Sequence, residues 1–592
     1  MPQAQTVAMP QRLPLIVQPA NRDDDTLKDS KLVNGYVEKG TQEGELWVYK
    51  RPGLGTSIYA AGSGAGNGVY NWLGDIYAIF GSTLYKNGVS VGTGLNTAGE
   101  VYRFSSSLGT TPRLQFGNGV ASYNYDSGAG VVQITTTSTV TAGNFVFGIT
   151  YTVATTGSTD FTLLGAAASA PGTIFTAGVE GTCTFAAATM TVITLTQNSF
   201  TVGMVLEATG LITGTTITSF ASGTGGVGSV ANLSTTPGTG SERIVTVSGV
   251  GTGSGTCTMT NNFPATTVKG WAYLDGTTYV ATADASIRGC AVINDTTDWT
   301  DPLNVIEAQI EPDGGVGLTK QLVYVIYLGQ WSTEVFYDQA NPTASPLGPV
   351  QGAKINYGCA NIDSLQELDG VLLWIATNRS AAPQILLLEN LKPQIVSTKP
   401  IERLLGDADL TQVYSFGVKY EGHRFYVLTL IASNLTLVYD MTDKMWCQWT
   451  DSNGDYFPIV ASTFKDNKRI LQHKSNGKLY YFNSDYTTDD GATITVDLYT
   501  PNFDGGVRRR KQITMMEFIV DQTPGSVFQV RTNDWDYQAD RWTNFRLLDL
   551  NVKKPILINN GTFMRRAYHI RHQCETKLRL QAIELQLDVG TL

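Results

Sequence analysis

The chain reads as an all-β protein: an interrupted β-propeller of about six blades, with an inserted Thr/Gly-rich β-module and a C-terminal β-sandwich. Three observations predict this. An aromatic-rich hairpin recurs seven times, 62 Gly and abundant Tyr, Phe and Thr accompany almost no helical periodicity, and the last hundred residues change to longer alternating strands. A half-buried hairpin cannot cover its own apolar face, so its copies must pack on one another. Radial stacking of four-stranded sheets does this while leaving only short edges.

The unit is clearest at 321–338, QLVYVIYLGQWSTEVFYD, where apolar and aromatic residues alternate, a Gly329-Gln330-Trp331 turn interrupts them and a second strand returns to an Asp. The same arrangement recurs at 75–86, 114–126, 271–282, 371–390, 424–440 and 470–483. With the Gly/Thr-rich insert set aside, most centres lie about 40 to 55 residues apart, the length of a four-stranded blade. The pair at 114–126 and 271–282 then falls close enough to share one blade. Six blades result, five or seven being the alternatives.

Taken in order, residues 1–29 carry Pro2, Pro10, Pro14 and Pro19 and the run Asp23–Asp25, and read as an extended N-terminal arm. Residues 30–126 form the first part of the propeller, opening with KLVNGYVE and with LWVYKRPGL, whose Arg51-Pro52-Gly53 ends a strand in a turn. Residues 127–267 hold only five charged side chains (Asp160, Glu180, Glu207, Glu242, Arg243) and are dominated by Gly, Thr, Ser, Ala and Val. Alternation at 145–153, 202–206 and 216–220 makes this an inserted β-module rather than a linker. The echo of Gly181-Thr-Cys-Thr-Phe185 in Gly255-Thr-Cys-Thr-Met259 suggests a second module nested near 183–256. Residues 268–489 complete the propeller, with Trp446 and Trp449 expected to pack between its sheets. Residues 490–592 form the sandwich, whose last strand, KLRLQAIELQLD, alternates as a strand buried on one face should.

The net charge of −10 is unevenly placed: residues 501–580 hold 14 Lys/Arg against 8 Asp/Glu, a local +6 that leaves −16 on the remainder. The densest run, Arg508-Arg509-Arg510-Lys511, is the candidate protein interface, directed at an acidic partner in preference to DNA phosphates; a polar turn leading into a strand is the structural alternative. The six cysteines at 183, 257, 290, 359, 447 and 574 lack CxxC spacing, which predicts reduced thiols and folding in a cytoplasm. No apolar run approaches the roughly 18 residues of a membrane-spanning helix, and Leu13–Val17 is too short for a signal peptide.

Catalytic, cofactor and metal sites are expected to be absent. His569-x-x-His572-x-Cys574 has ligand-type residues, but on a strand the first points away from the other two. Glu311, Asp313, Asp338 and Asp440 lie at turns or strand ends, where carboxylates commonly bond backbone, and no paired-carboxylate or nucleophile–base pattern accompanies them. No phosphate-binding GxxxxGK[ST] loop occurs.

In order along the chain, LVNGYVE with WVYKRPGL, IFGSTLYKNG, LQFGNGVASYNYD, IEAQIEPDGGVGL leading into VYVIYLGQWSTEVFYD, TLVYDMTDKMWCQW and AYHIRHQCETKLRLQAIELQLD resemble the tail hub or nozzle (packaged-DNA stabilisation) proteins of short-tailed phages, the podoviruses. The resemblance covers residues 30–126 and 268–592 and departs at the insert. It implies a non-enzymatic virion protein of the tail, assembled in the host cytoplasm as a homo-hexameric ring below the portal–adaptor complex. The ring would bear tail needle, fibre or spike proteins, and would retain packaged double-stranded DNA and conduct it during ejection. A host-surface adsorption or fibre-attachment protein of the tail is the alternative.

Overall fold

A computed structural model describes residues 11–15, 30–40, 46–60, 64–145, 147–237, 240–247 and 251–589. Among them strands dominate, and the one α-helix, Lys399–Asp407, carries Pro400 in its first turn and buries Ile401 and Leu405 one turn apart. No helix among the described residues is long and apolar enough to cross a membrane.

Seven antiparallel sheets succeed one another in the propeller. Blade 1 comprises Gly66–Trp72, Asp75–Phe80, Thr83–Lys86 and Val89–Thr93, and blade 2 comprises Arg103–Ser107, Arg113–Gly117, Ser122–Asp126 and Gly130–Ile134. Blades 3 and 4 run from Ala272–Leu274 to Val305–Glu307 and from Gly315–Gln321 to Leu347–Pro349. Blade 5 centres on Val371–Thr377 and Gln384–Glu389, and blade 6 runs from Val413–Tyr420 to Met445–Gln448. Blade 7 takes Ile459–Lys465, Lys468–His473 and Lys478–Asn483, and its fourth strand is Gly53–Ala60, from the other end of the chain. Each recurrent hairpin lies in its own sheet, so the count is seven where spacing gives six. The close pair was misplaced because 114–126 supplies the middle strands of its blade while 271–282 supplies the first two of the next. Their centres therefore stand less than one blade apart.

The sandwich draws on both ends of the chain. One sheet orders Gly35–Lys39, Leu46–Lys50, Arg579–Val589, Lys511–Val520 and Ile556–Ile558. The other continues directly from blade 6, through Lys31–Val33, Val496–Tyr499, Ala567–His572 and Val527–Asn533 to Arg546–Asp549. Lys31–Val33, Gly35–Lys39 and Leu46–Lys50, read from the sequence as propeller, thus belong to the two sandwich sheets. Their pairing partners, Leu498 for Leu32 and Leu580 for Val48, lie too far along the chain for any local pattern to reveal. Of the expected arm, Gln11–Arg12 pairs with Leu585 and Glu584, and Leu13 and Leu15 are buried in the same core; the rest of 1–29 lies outside the described residues.

Residues 134–265 with 297–302 form a compact unit of their own. Its four-stranded sheet, Thr137–Thr141, Thr256–Thr260, Thr150–Thr155 and Ile174–Thr176, covers a core of Phe145, Tyr151, Phe161 and Phe175. A six-stranded sheet built from 179–247 falls in sequence between Ile174–Thr176 and Thr256–Thr260 and has a separate core around Phe185, Met190 and Phe200. The echoed Gly-Thr-Cys-Thr segments occupy equivalent places, each an interior strand whose cysteine, Cys183 or Cys257, is fully buried.

Candidate functional site

The arginine run lies on the loop entering Lys511–Val520, which is tied back by Asp504: its Oδ1 accepts from the Gly506 amide at 2.9 Å and its carbonyl from the Val507 amide. Arg508, Arg509 and Arg510 are exposed, and their side chains have no ion-pair or hydrogen-bond partner among the described residues. Lys511 behaves differently. It is 1% exposed, and its ammonium donates to the carbonyls of Val507 and of Arg509, the latter at 2.8 Å, so it holds the loop instead of facing a partner. Burial lowers its pKa, with Asp504 opposing.

Pairing of Lys511 with Phe563 and of Phe503 with Arg566 brings neighbouring loops to the same rim. Exposed Met564 (59%) and Trp535 (60%) stand there, the latter with Arg541 5.4 Å from its ring centroid. Arg566 is buried in a bidentate pair with Asp534, at 2.6 and 2.9 Å, whereas Arg565 pairs with Asp536 at the surface. The rim therefore combines three unpaired guanidinium groups with exposed aromatic and apolar surface.

The propeller bore is narrow. The first strands of the blades line a cavity of about 260 Å³, with Val69, Tyr102, Leu318, Leu365, Phe416 and Val460 among its walls. Arg103 of blade 2 reaches across to blade 5, donating to the carbonyls of Leu365 (2.9 Å) and Ile362 (2.5 Å). Lys269 Nζ lies 2.5 Å from Asp363 Oδ2, the Tyr414 hydroxyl donates to Glu100 at 2.9 Å, and Lys474 lies 3.6 Å from Glu100. Glu367 also lines this cavity, and burial raises its pKa, with Lys320 opposing.

The carboxylates considered at turns have local partners. Asp313 accepts from the Trp331 and Ser332 amides, Asp338 from the Ala340 amide, and Glu311 pairs with Lys354. The His569/His572 segment is likewise satisfied separately: His569 bonds Asp497 and accepts from Arg531, while His572 bonds Ser526. Asp440 is different, because the fold brings it to His423 and Asp443. His423 Nδ1 lies 2.6 Å from Asp440 Oδ2 and 3.5 Å from Asp443 Oδ2, and all three residues are buried. Burial opposes protonation of His423, but the hydrogen bond and charge of Asp440, then Asp443, outweigh it and its pKa is raised; burial and then Asp440 raise that of Asp443. The sequence offered no signal for this cluster, since its members sit at the start of one strand, at the end of the next and in the turn that follows.

A family model described as Bacteriophage P22 Gp10, beta-propeller, matches residues 177–487, more than half of the chain. The match opens inside the inserted unit and ends just after the third strand of blade 7. No curated protein matches the sequence. Among solved structures, BBS1N in complex with ARL6DN gives a TM-score of 0.33 at 10% identity, over 74% of this chain and 98% of that one. The computationally designed Ika8 protein gives 0.31 at 9%, over 72% and 99%, and Hsv2 of Kluyvelomyces marxianus 0.24 at 11%, over 47% and 84%. Scores this low carry no argument.

Proposed function

The chain belongs to the family of the Bacteriophage P22 Gp10 β-propeller, and from that membership we propose that it is the nozzle or hub protein of a short-tailed phage, stabilising packaged DNA in the virion. The match over 177–487 carries this reading. In the proposed assembly a hexameric ring docks below the portal–adaptor complex, carries needle, fibre or spike proteins, and leaves a conduit between subunits.

Two features support a conduit between subunits rather than through one. The bore of the propeller is crossed by Arg103 and Lys269, and its cavity of about 260 Å³ is far too small for a duplex. The −16 carried outside residues 501–580 suits a wall that DNA must slide past, because every phosphate neutralised by a bound cation adds affinity that would slow passage. The unpaired Arg508, Arg509 and Arg510 are then assigned to an acidic face of the adaptor.

Light scattering of the full chain, alone and with the portal–adaptor complex, tests the reading. A monomer that is captured as a hexamer on the complex supports it, and reversing the three arginines to Glu should weaken capture at least tenfold. A chain that ignores the complex and binds host surface instead supports the adsorption reading, which the separate cores of the inserted unit favour. Deleting 134–265 distinguishes the two: assembled tails that no longer adsorb are expected only if the insert is the receptor-binding part.

A further inference from the structure

His423 opens the second strand of blade 6, Asp440 closes the third, and Asp443 lies in the turn that follows. The antiparallel register pairs Phe425 with Asp440, which puts the imidazole and the first carboxylate on one face. The turn Asp440–Lys444 then folds the second carboxylate back over them. One ligand atom from each residue, His423 Nδ1 and a carboxylate oxygen from each aspartate, lies within 4.8 Å of the other two.

We propose that His423, Asp440 and Asp443 bind a divalent first-row transition metal ion such as zinc, which fastens blade 6 to the sandwich. Three observations carry this. First, the donor set is one imidazole nitrogen and two carboxylate oxygens, which suits zinc with a fourth position left for water, whereas calcium and magnesium prefer oxygen alone. Second, two carboxylates are buried around a single imidazole: Asp443, in a residue 8% exposed, brings Oδ2 to 3.5 Å from His423 Nδ1, and Lys39 meets it through a backbone hydrogen bond and its charge. Third, the donors are already oriented by outer contacts. Asp440 Oδ1 accepts from the Thr442 amide at 2.9 Å, leaving Oδ2 for the site, and the His423 ring is held between Phe425, stacked at 5.6 Å, and Tyr36, edge-on at 5.0 Å.

The location gives the ion a role. Tyr36 and Lys39 belong to the sandwich strand Gly35–Lys39, and Lys39 Nζ donates to the Asp443 carbonyl at 2.5 Å, so the cluster sits where blade 6 meets that strand. The metal would replace the proton that His423 shares with Asp440, and would hold the Asp440–Lys444 turn in the position that Lys39 recognises.

The test uses the full chain, stripped with a chelator and titrated with cobalt chloride, read by visible absorption and by displacement with zinc chloride. The wild type is expected to take up one equivalent. His423→Gln and Asp443→Asn should each lose at least tenfold in affinity, whereas His473→Gln, in blade 7, should bind as the wild type does. Failure of the wild type to bind, or unchanged binding in both cluster variants, overturns the proposal. Should His423→Gln not fold, X-ray absorption of the zinc-loaded wild type decides: oxygen and nitrogen scatterers with one imidazole support the site, and a spectrum without imidazole overturns it.

Discussion

Blade 6 and the sandwich share one nine-stranded sheet, yet their strand pairings are specified in opposite ways. In blade 6 each strand turns directly into its partner, Tyr420 opposite His423, Leu430 opposite Leu435 and Asp440 opposite Met445. Across the seam, Leu32 pairs with Leu498, and Tyr499 with His569. Local pairing closes small loops and is favourable as soon as it forms, whereas the sandwich requires both ends of the chain to be in place. The difference teaches where the molecule is most vulnerable: blades tolerate local damage, but the few residues that join early strands to late ones have no substitute.

Arg51 is the sharpest test of that contrast. It is fully buried, its guanidinium meets Asp489 at 3.0 and 2.5 Å, and it also bonds Asn34 Oδ1 and the Thr450 carbonyl, both at 2.9 Å. It thereby joins the first sandwich strands to the segment after blade 7. Arg51→Met should cost about 3–5 kcal/mol, because it leaves the largely buried Asp489 carboxylate without its cation. Arg51→Lys should recover only part, since an ammonium cannot make the bidentate pair. Guanidinium unfolding followed by tryptophan fluorescence measures both; a midpoint unchanged in Arg51→Met would remove the argument.

Acid sharpens the comparison next. Burial pushes the pKa of His572, in the sandwich, down to about 4, and its Nε2 is bonded to Ser526 at 2.8 Å. The unfolded chain therefore binds a proton that the folded sandwich refuses between about pH 6.5 and 4, so stability is complete above that window and falls as pH drops through it. The full effect is roughly 3 kcal/mol. In blade 7, burial also pushes His473 down to about 4, but its ring is partly open to solvent and the loss there should be smaller. His572→Gln should flatten the pH dependence of the melting temperature over this range more than His473→Gln does, and the reverse order would contradict the burial argument.

The same contrast explains what was legible in the sequence. All seven hairpins were visible because each is specified within about twenty residues, by alternation and a turn. The preferred count of six differs from the seven sheets, within the range the spacing allowed, because one hairpin holds the first two strands rather than the middle two. The Lys31–Lys50 strands were visible as strands, but their membership in the sandwich was not, since period-two alternation identifies a buried face without naming the partner. Among candidate site residues the three arginines were legible as a charge run. Lys511 was also readable in principle: it lies two positions before buried Ile513 and so shares its inward face. The His423 cluster was not, because only register and a turn bring its members together.

Closure of the propeller gives a smaller effect. A Cβ at Gly53 would stand 2.3 Å from the Thr488 carbonyl oxygen and 2.6 Å from that of Tyr486, both backbone atoms with little freedom to move. Gly53→Ala should cost about 1–3 kcal/mol by overpacking where Gly53–Ala60 completes blade 7. The extent of proteolysis between blade 7 and blade 1 reports it, and no increase in cutting relative to the wild type would mean that the seam yields more easily than its geometry indicates.

The smallest effect on stability is expected at the arginines proposed to bind a partner. Arg508, Arg509 and Arg510 contact no charge or acceptor among the described residues, so replacing all three by Ala should change unfolding stability by less than about 0.5 kcal/mol. Lys511 is the internal control. Lys511→Met keeps much of the buried volume but leaves the Val507 and Arg509 carbonyls without their donor, at a cost of about 1–3 kcal/mol. Neighbours in one basic run should therefore separate: the triple variant keeps its stability and loses capture by the portal–adaptor complex, whereas Lys511→Met loses stability first and capture only as far as the loop relaxes. Equal stability losses in the two variants would mean that the arginines hold the loop as Lys511 does, and the rim would no longer be a candidate for the acidic partner.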